Sequence, residues 1–269
     1  MTVALLGIGA DSTNTAPTPP VYPDGTFEYI PIPEKCGPDG TTETRTYGNT
    51  ALRNQDRSMA DYVEGIQPRP GAADPAEHSG EALSEWPLHF DPSFEALTYG
   101  ETTSRGAYTT LLGELDPGDG VAFYTGLRAD GETYRHRYLI GYFTVEEVVD
   151  CRDLGPQGRS FEALPADEQA ALMARHSQNA HAKRFQASGA LANGDGLVIV
   201  DGREPGGLLD RAVPISERKS GGHYYLTDDR QREFSPVPGG NPERNAYLGG
   251  IKPAHELDIS VERLREIVE

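Results

Sequence analysis

Lysine is scarce in this chain. Of its 24 basic residues only Lys35, Lys183, Lys219 and Lys252 are lysines, against 42 acidic residues and a formal net charge of −18. Such a chain offers no general basic footprint for a phosphate backbone, which ordinarily argues against charge-driven nucleic-acid binding. Abundant carboxylates with few lysines also form the halophilic pattern. In a very salty cytoplasm screening leaves little self-repulsion, and a large like charge keeps the protein soluble. On that reading the acidity reports the solvent. A nucleic-acid partner would then be held by stacking and hydrogen bonds, because counterion release yields little in strong salt.

Cysteine is nearly missing as well. Cys36 and Cys151 are the only two, and their spacing implies no disulfide. No CxxC pair or Cys/His cluster is present to hold zinc, so no metal and no cofactor are expected. Long apolar runs are lacking. The N-terminal MTVALLGIGADS has no basic start and no cleavage site. It is too short for a signal peptide or a membrane span, and a cytoplasmic protein with reduced thiols and no membrane partner is expected. No GxSxG nucleophile elbow occurs. Carboxylates are so common that spacing alone selects no acid/base pair, and no catalytic residue can be named.

What the chain does contain is glycine and proline. Its 31 glycines and 21 prolines, beside a hydrophobic content of 36%, predict short elements and many loops. The length of 269 residues suffices for a sizeable core. No linker divides it, so we expect a single α+β domain over 1–269. Val3 to Leu6 reads as a buried strand and Phe27 to Ile32 as a proline-flanked edge strand. A helix is expected around Ser58 to Gly65 and another over Arg105 to Leu115. Val121 to Thr125 and Arg137 to Val145 are the clearest strands. Strict alternation in the second puts Leu139, Gly141, Phe143 and Val145 on one face and Tyr138, Ile140, Tyr142 and Thr144 on the other. Glu168 to Ala187 reads as one helix closed by Gly189. Leu197 to Val200 and Leu208 to Pro214 read as separate strands, His223 to Leu226 with TDDRQREFSP as a final hairpin, and Ser260 as the cap of a terminal helix.

Gly7-Ile8-Gly9 follows the first strand, but the prolines from Pro17 onward forbid the helix that a dinucleotide fingerprint needs. Asp11, Ser12 and Asn14 instead make a polar loop at the strand's end, where ligands often bind; a plain hydrogen-bonded turn is the competing reading. His176 and His181 are five apart and do not share a helix face, whereas His176 and Asn179 do. Among the aromatics, Tyr99, Tyr124 and Tyr142 are candidates to stack a flat heterocycle, although most aromatic residues belong to the core. Arg105 and Arg184 are candidates for phosphate through guanidinium geometry.

Two resemblances meet on these residues. GDGVAFY (Gly118 to Tyr124) followed by YLIGYFTV (Tyr138 to Val145) resembles the core of PUA-like barrels, a superfamily that includes the EVE, ASCH and YTH domains. It implies a PUA-like core over roughly 97–201 with an aromatic pocket for a modified base. GIGADSTNTAPTPPVYPDGTFEYIPIPE (Gly7 to Glu34), DPSFEALTYGE (Asp91 to Glu101), GDGVAFYTGL (Gly118 to Leu127) and SQNAHAKR (Ser177 to Arg184) resemble the nucleotide modification associated domain 3 family. That family has no established catalytic residue to carry over. The resemblance implies a role beside DNA base-modification or genome-defence systems. Taken with the two-strand core, it leads to the expectation that the chain binds a modified nucleotide or DNA base, with Asp11, Ser12, Asn14 and Asn179 as hydrogen-bonding candidates. Two other readings stand beside it. One is an enzyme that alters or hydrolyses a nucleotide, with the Gly9-to-Asn14 loop facing His176. The other is an interaction module among DNA-modification or genome-defence proteins.

Overall fold

Val3 to Gly7 is apolar on both faces, and the computed structural model buries all five residues between two other strands. The structure describes residues 1–9, 15–16, 18–63, 65–66, 83–155, 158–191, 196–239, 244–249 and 253–269. The seven strands of the main sheet are β1 (Val3–Gly7), β2 (Pro20–Val21), β3 (Thr98–Thr102), β4 (Gly120–Ala129), β5 (His136–Asp150), β6 (Leu197–Pro214) and β7 (His255–Leu257). They run in the order β7-β1-β4-β5-β6-β3, with β1 parallel to β4. β2 rejoins β4 at Arg128 and Ala129, past the end of β1. The chain therefore leaves the sheet after Gly7 and returns to the same strand further along. The sheet curls into a half-barrel flanked by helices, an α+β architecture. Longer helices are α1 (Gly106–Gly113), α2 (Ala166–Arg175), α3 (Ala180–Ser188), α4 (Asp228–Phe234) and α5 (Val261–Val268). No described helix is long and apolar enough to cross a membrane.

The two sheet faces carry separate cores. Val121, Phe123 and Leu127 pack with Tyr99, Phe143 and Val198 on one side. Ala122 and Tyr124 pack with Leu5, Leu257 and Leu264 on the other. Full burial of each large apolar side chain contributes about 1.5–3 kcal/mol. The strict alternation expected for β5 fails. Phe123 pairs with Gly141 but Tyr124 pairs with Leu139, so Ile140 is an extra residue in a bulge. A bulge leaves one residue unpaired and shifts the pleat. Ile140 accordingly joins Phe143 and Val145, while Leu139 joins Tyr142.

Other expectations are also revised. The helix read over Glu168 to Ala187 is two helices, because Asn179 adopts extended backbone and its side chain accepts from the His181 amide, capping α3. Leu197 to Pro214 is one strand kept continuous across three register shifts. Asp228 to Phe234 is helical, with Thr227 capping it and Ser235 in the left-handed conformation closing it; the final hairpin is Ser216–Arg218 with Tyr224–Leu226. Of the expected edge strand Phe27 to Ile32, Ile32 pairs with His89 and Phe27 makes an isolated bridge with Val21. The helix expected from Ser58 is a single turn, Met59–Tyr62, with a complete capping box. Ser260 caps α5 as expected.

A smaller core of Ile30, Tyr47, Leu52, Leu83 and Leu88 holds the segment that leads into His89 and Asp91. α2 and α3 sit over Val149, Cys151, Leu197 and Ile199. These two packings bring His89, Asp91 and the start of α3 together beside β3.

Candidate active site

Asp91 is the hub of a buried polar cluster. Its Oδ1 accepts the Gly100 amide at 2.7 Å, and its Oδ2 lies 3.2 Å from His181 Nε2 and 3.7 Å from His89 Nε2. Burial pushes the Asp91 carboxyl up, but the two histidines outweigh it and hold the group well below the usual carboxylate range. Burial pushes His181 down despite the neighbouring carboxylate. The two imidazoles meet edge to face, with centroids 5.3 Å apart. His89 Nδ1 lies 3.1 Å from Glu34 Oε2 and 3.2 Å from Arg184 Nη2. Arg184 Nε donates to Glu34 Oε1 at 2.5 Å. Burial would raise the Glu34 carboxyl, yet His89 and Arg184 hold it down to about 2. A guanidinium can only donate and a carboxylate only accept. The proton position on His89 is therefore set by what its Nε2 faces.

A second cluster borders the first. Glu101 accepts from Tyr99 Oη at 3.1 Å, Arg105 Nη1 at 3.2 Å and the Thr102 amide at 3.0 Å. The Arg105 guanidinium stacks 3.9 Å from the centroid of the Tyr108 ring. Tyr108 Oη accepts from the Gly7 amide at 3.0 Å and donates to the Gly7 carbonyl at 3.2 Å, which ties α1 to the end of β1. Between the clusters lies a cleft of about 60 Å³, bordered by Gly7 to Gly9, Asp91, Glu101, Arg105, His181 and Arg184 among others. That space takes a few waters or one reacting group. Lys35, Arg105 and Arg184 all reach it, a local concentration of cations on a chain of net charge −18. Under its rim, at Gly9, the buried hydroxyls of Tyr29 and Thr125 have no hydrogen-bond partner among the described residues.

Gly100 lets these parts approach. A Cβ there would stand 2.7 Å from His181 Cδ2 and 3.1 Å from Asn179 Oδ1, so only glycine lets the start of α3 lie on β3.

The sequence model of the nucleotide modification associated domain 3 family matches residues 2–233. The chain belongs to that family. No curated protein and no solved structure matches it. Membership associates the chain with nucleotide or DNA modification.

Of the residues singled out from the sequence, Tyr99, Arg105 and Arg184 border the cleft. Asn179 lies one layer behind it, its Nδ2 donating to Thr98 Oγ1 at 3.2 Å. His176 joins the same layer rather than the cleft: its Nδ1 is 2.6 Å from Asp201 Oδ2, and Asp201 Oδ1 takes the Thr98 hydroxyl at 2.6 Å. Tyr124 is in the opposite core, donating to the Pro253 carbonyl at 3.1 Å. Tyr142 donates to Glu269 at 3.2 Å and borders a separate open depression of about 460 Å³. Asp11, Ser12 and Asn14 lie outside the described residues. Glu34, His89, Asp91 and His181 were not selected from the sequence as site residues. The available signal was His89-Phe90-Asp91, a spacing of two that puts both side chains on one side of an extended segment, in a chain with only seven histidines.

Proposed function

We propose that this family member is an enzyme that alters a nucleotide or a DNA base, with the reacting group bound in the cleft at the end of β1. The observation that carries the reading is the buried Asp91 bonded to His181 and flanked by His89, beside a cleft that Arg105 and Arg184 border. Converging titratable groups at a concavity are the physical signature of a reaction centre. The larger depression beside Tyr142 lacks it, since Arg265 and Glu269 there are half exposed and paired with each other. In this reading Arg105 attracts a phosphate, Tyr99 forms one wall, and Arg184 positions His89 through Glu34. Asp11, Ser12 and Asn14, which follow Gly9 in sequence, supply hydrogen bonds to the substrate.

The test is incubation with nucleoside mono- and triphosphates and with modified and unmodified oligonucleotides in molar KCl, followed by mass analysis. Asp91→Asn is expected to cut product formation by about 10²-fold or more, the usual scale for losing a positioned catalytic group, with an unchanged circular dichroism spectrum. Absence of any product across the whole set with the wild-type chain would reject an enzymatic role.

One observation favours recognition without chemistry, the PUA-like reading. Tyr142 borders the depression of about 460 Å³ together with Arg211 and Arg265, room for a whole base. Equilibrium binding to the same oligonucleotides decides it, and equal affinity for modified and unmodified strands counts against it.

A further inference from the structure

We infer that His89, Asp91 and His181 form a binding site for one divalent transition-metal ion, with a coordination position open to the cleft. This goes beyond the nucleotide reading and stands without it. The three residues each offer one ligand atom, all within 4.8 Å of one another. Asp91 Oδ2 is 3.2 Å from His181 Nε2 and 3.7 Å from His89 Nε2. An ion with bonds of about 2.0–2.2 Å keeps adjacent donors about 3.0–3.6 Å apart at angles from 90° to 120°. Of the three donor pairs, Asp91–His181 already fits, Asp91–His89 needs a shift of about a tenth of an ångström, and the two imidazoles, within 4.8 Å of each other, close onto the ion by a side-chain adjustment. Two imidazoles with one carboxylate select a zinc- or iron-like ion over magnesium or calcium, which prefer all-oxygen sites.

The surroundings match those of a ligand set. Histidines that bind metals commonly hand their other ring nitrogen to a carboxylate. His89 Nδ1 meets Glu34 Oε2 at 3.1 Å, and Glu34 is itself fixed by Arg184 at 2.5 Å and by the Cys36 amide at 3.2 Å. An ion on Nε2 settles the place of the His89 proton: Nδ1 carries it and donates to Glu34, and Arg184 Nη2, a donor now 3.2 Å from Nδ1, has to turn from that nitrogen. Asp91 Oδ1 is engaged by the Gly100 amide, which leaves Oδ2 for the ion. The Arg184 charge beside the site is balanced by Glu34. A second group, Glu147, His176 and Asp201, is not equivalent. Its His176 and Asp201 atoms are 2.6 Å apart, too close to ligate one ion side by side, and Glu147 faces solvent.

The experiment uses the full chain, stripped with a chelator and dialysed in molar KCl against Zn²⁺ or Co²⁺ alone. Metal content is read by elemental mass spectrometry. We expect one ion per chain, and pulsed electron paramagnetic resonance of the Cu²⁺-loaded protein should detect two imidazoles. Asp91→Asn with His181→Gln should abolish stoichiometric uptake. Glu34→Gln should weaken it by about 10–100-fold, and His176→Gln should leave it unchanged. Failure of the folded wild-type chain to retain an ion overturns the inference. So does a copper signal with fewer than two imidazoles, or unchanged uptake by a folded Asp91→Asn/His181→Gln chain. The copper measurement needs no variant and decides even where the variants do not fold. Because no nucleotide is present, failure here leaves the enzymatic reading to its own test.

Discussion

Cys36 and Cys151 differ in what governs thiol reactivity. Cys151 is buried beneath the α2–α3 layer, and burial, with Asp150 and Glu162 adding to it, pushes its thiol up to about 12. Cys36 is exposed. Since the thiolate is the nucleophile, iodoacetamide should label Cys36 alone in the native chain and both cysteines in denaturant, read as one or two adducts by mass spectrometry. Native labelling of Cys151 at a comparable rate would mean that the helical cover is not closed. Glu43 gives a pH prediction. Lys183 Nζ reaches its Oε2 at 2.7 Å and Arg45 Nη2 at 2.9 Å. Burial opposes ionisation, but these partners lower the carboxyl from 4.5 to about 2. A depressed folded-state value stabilises above the unfolded value and is lost as pH falls through the folded one. The stability gap between wild type and Glu43→Gln should therefore be full above 4.5 and vanish towards about 2. Thermal unfolding across that range checks it, and a gap independent of pH would assign the effect to something other than the ion pairs.

At the scale of elements, the seating of α3 on β3 decides whether the site exists. Asn179 caps the helix and bonds to Thr98, and Gly100 makes room for His181. Asn179→Ala should cost about 0.5–2 kcal/mol as a lost cap. Gly100→Ala should cost about 1–3 kcal/mol through overpacking. Both are measured by denaturant unfolding, and a Gly100→Ala chain as stable as wild type would show that α3 does not press on β3. Much of this level is legible in the residues. The paired strands around Val121 and Leu139, the α1 helix and the Ser260 cap all have local signals of periodicity or capping. The break at Asn179 has a weaker one: Asn is a favoured cap, but the helix formers Ala174 and Arg175 before it and Ala180 after it make the stretch read as one helix, and its second bond, to Thr98, is tertiary. The face swap on β5 escaped strict alternation because a single extra residue, Ile140, resets it. The site was legible only in part for the same reason. Tyr99, Arg105 and Arg184 stand beside recognisable elements, but Asp91 and His181 are 90 residues apart, and no local pattern records that they touch.

At the scale of the whole molecule, two salt effects oppose each other. Exposed pairs such as Arg263–Glu266 and Arg265–Glu269 weaken in salt, but each is worth only about 0–1 kcal/mol. The unbalanced charge of −18 repels itself over the whole surface. The screening length falls from about 10 Å at 0.1 M to about 3 Å at 1 M, which removes most of that repulsion. Relief of a collective repulsion should outweigh the loss of scattered weak pairs, so Tm is expected to rise as KCl increases into the molar range. The Glu34–Arg184 pair is almost wholly buried and is screened far less, so the cluster at Asp91 should persist at both ends of the titration. Scanning calorimetry against KCl tests the first expectation, and the chemical shifts of the His89 and His181 ring protons test the second. A Tm that falls with salt would mean that the ion pairs dominate, and the acidic surface would then need an explanation other than a salty solvent.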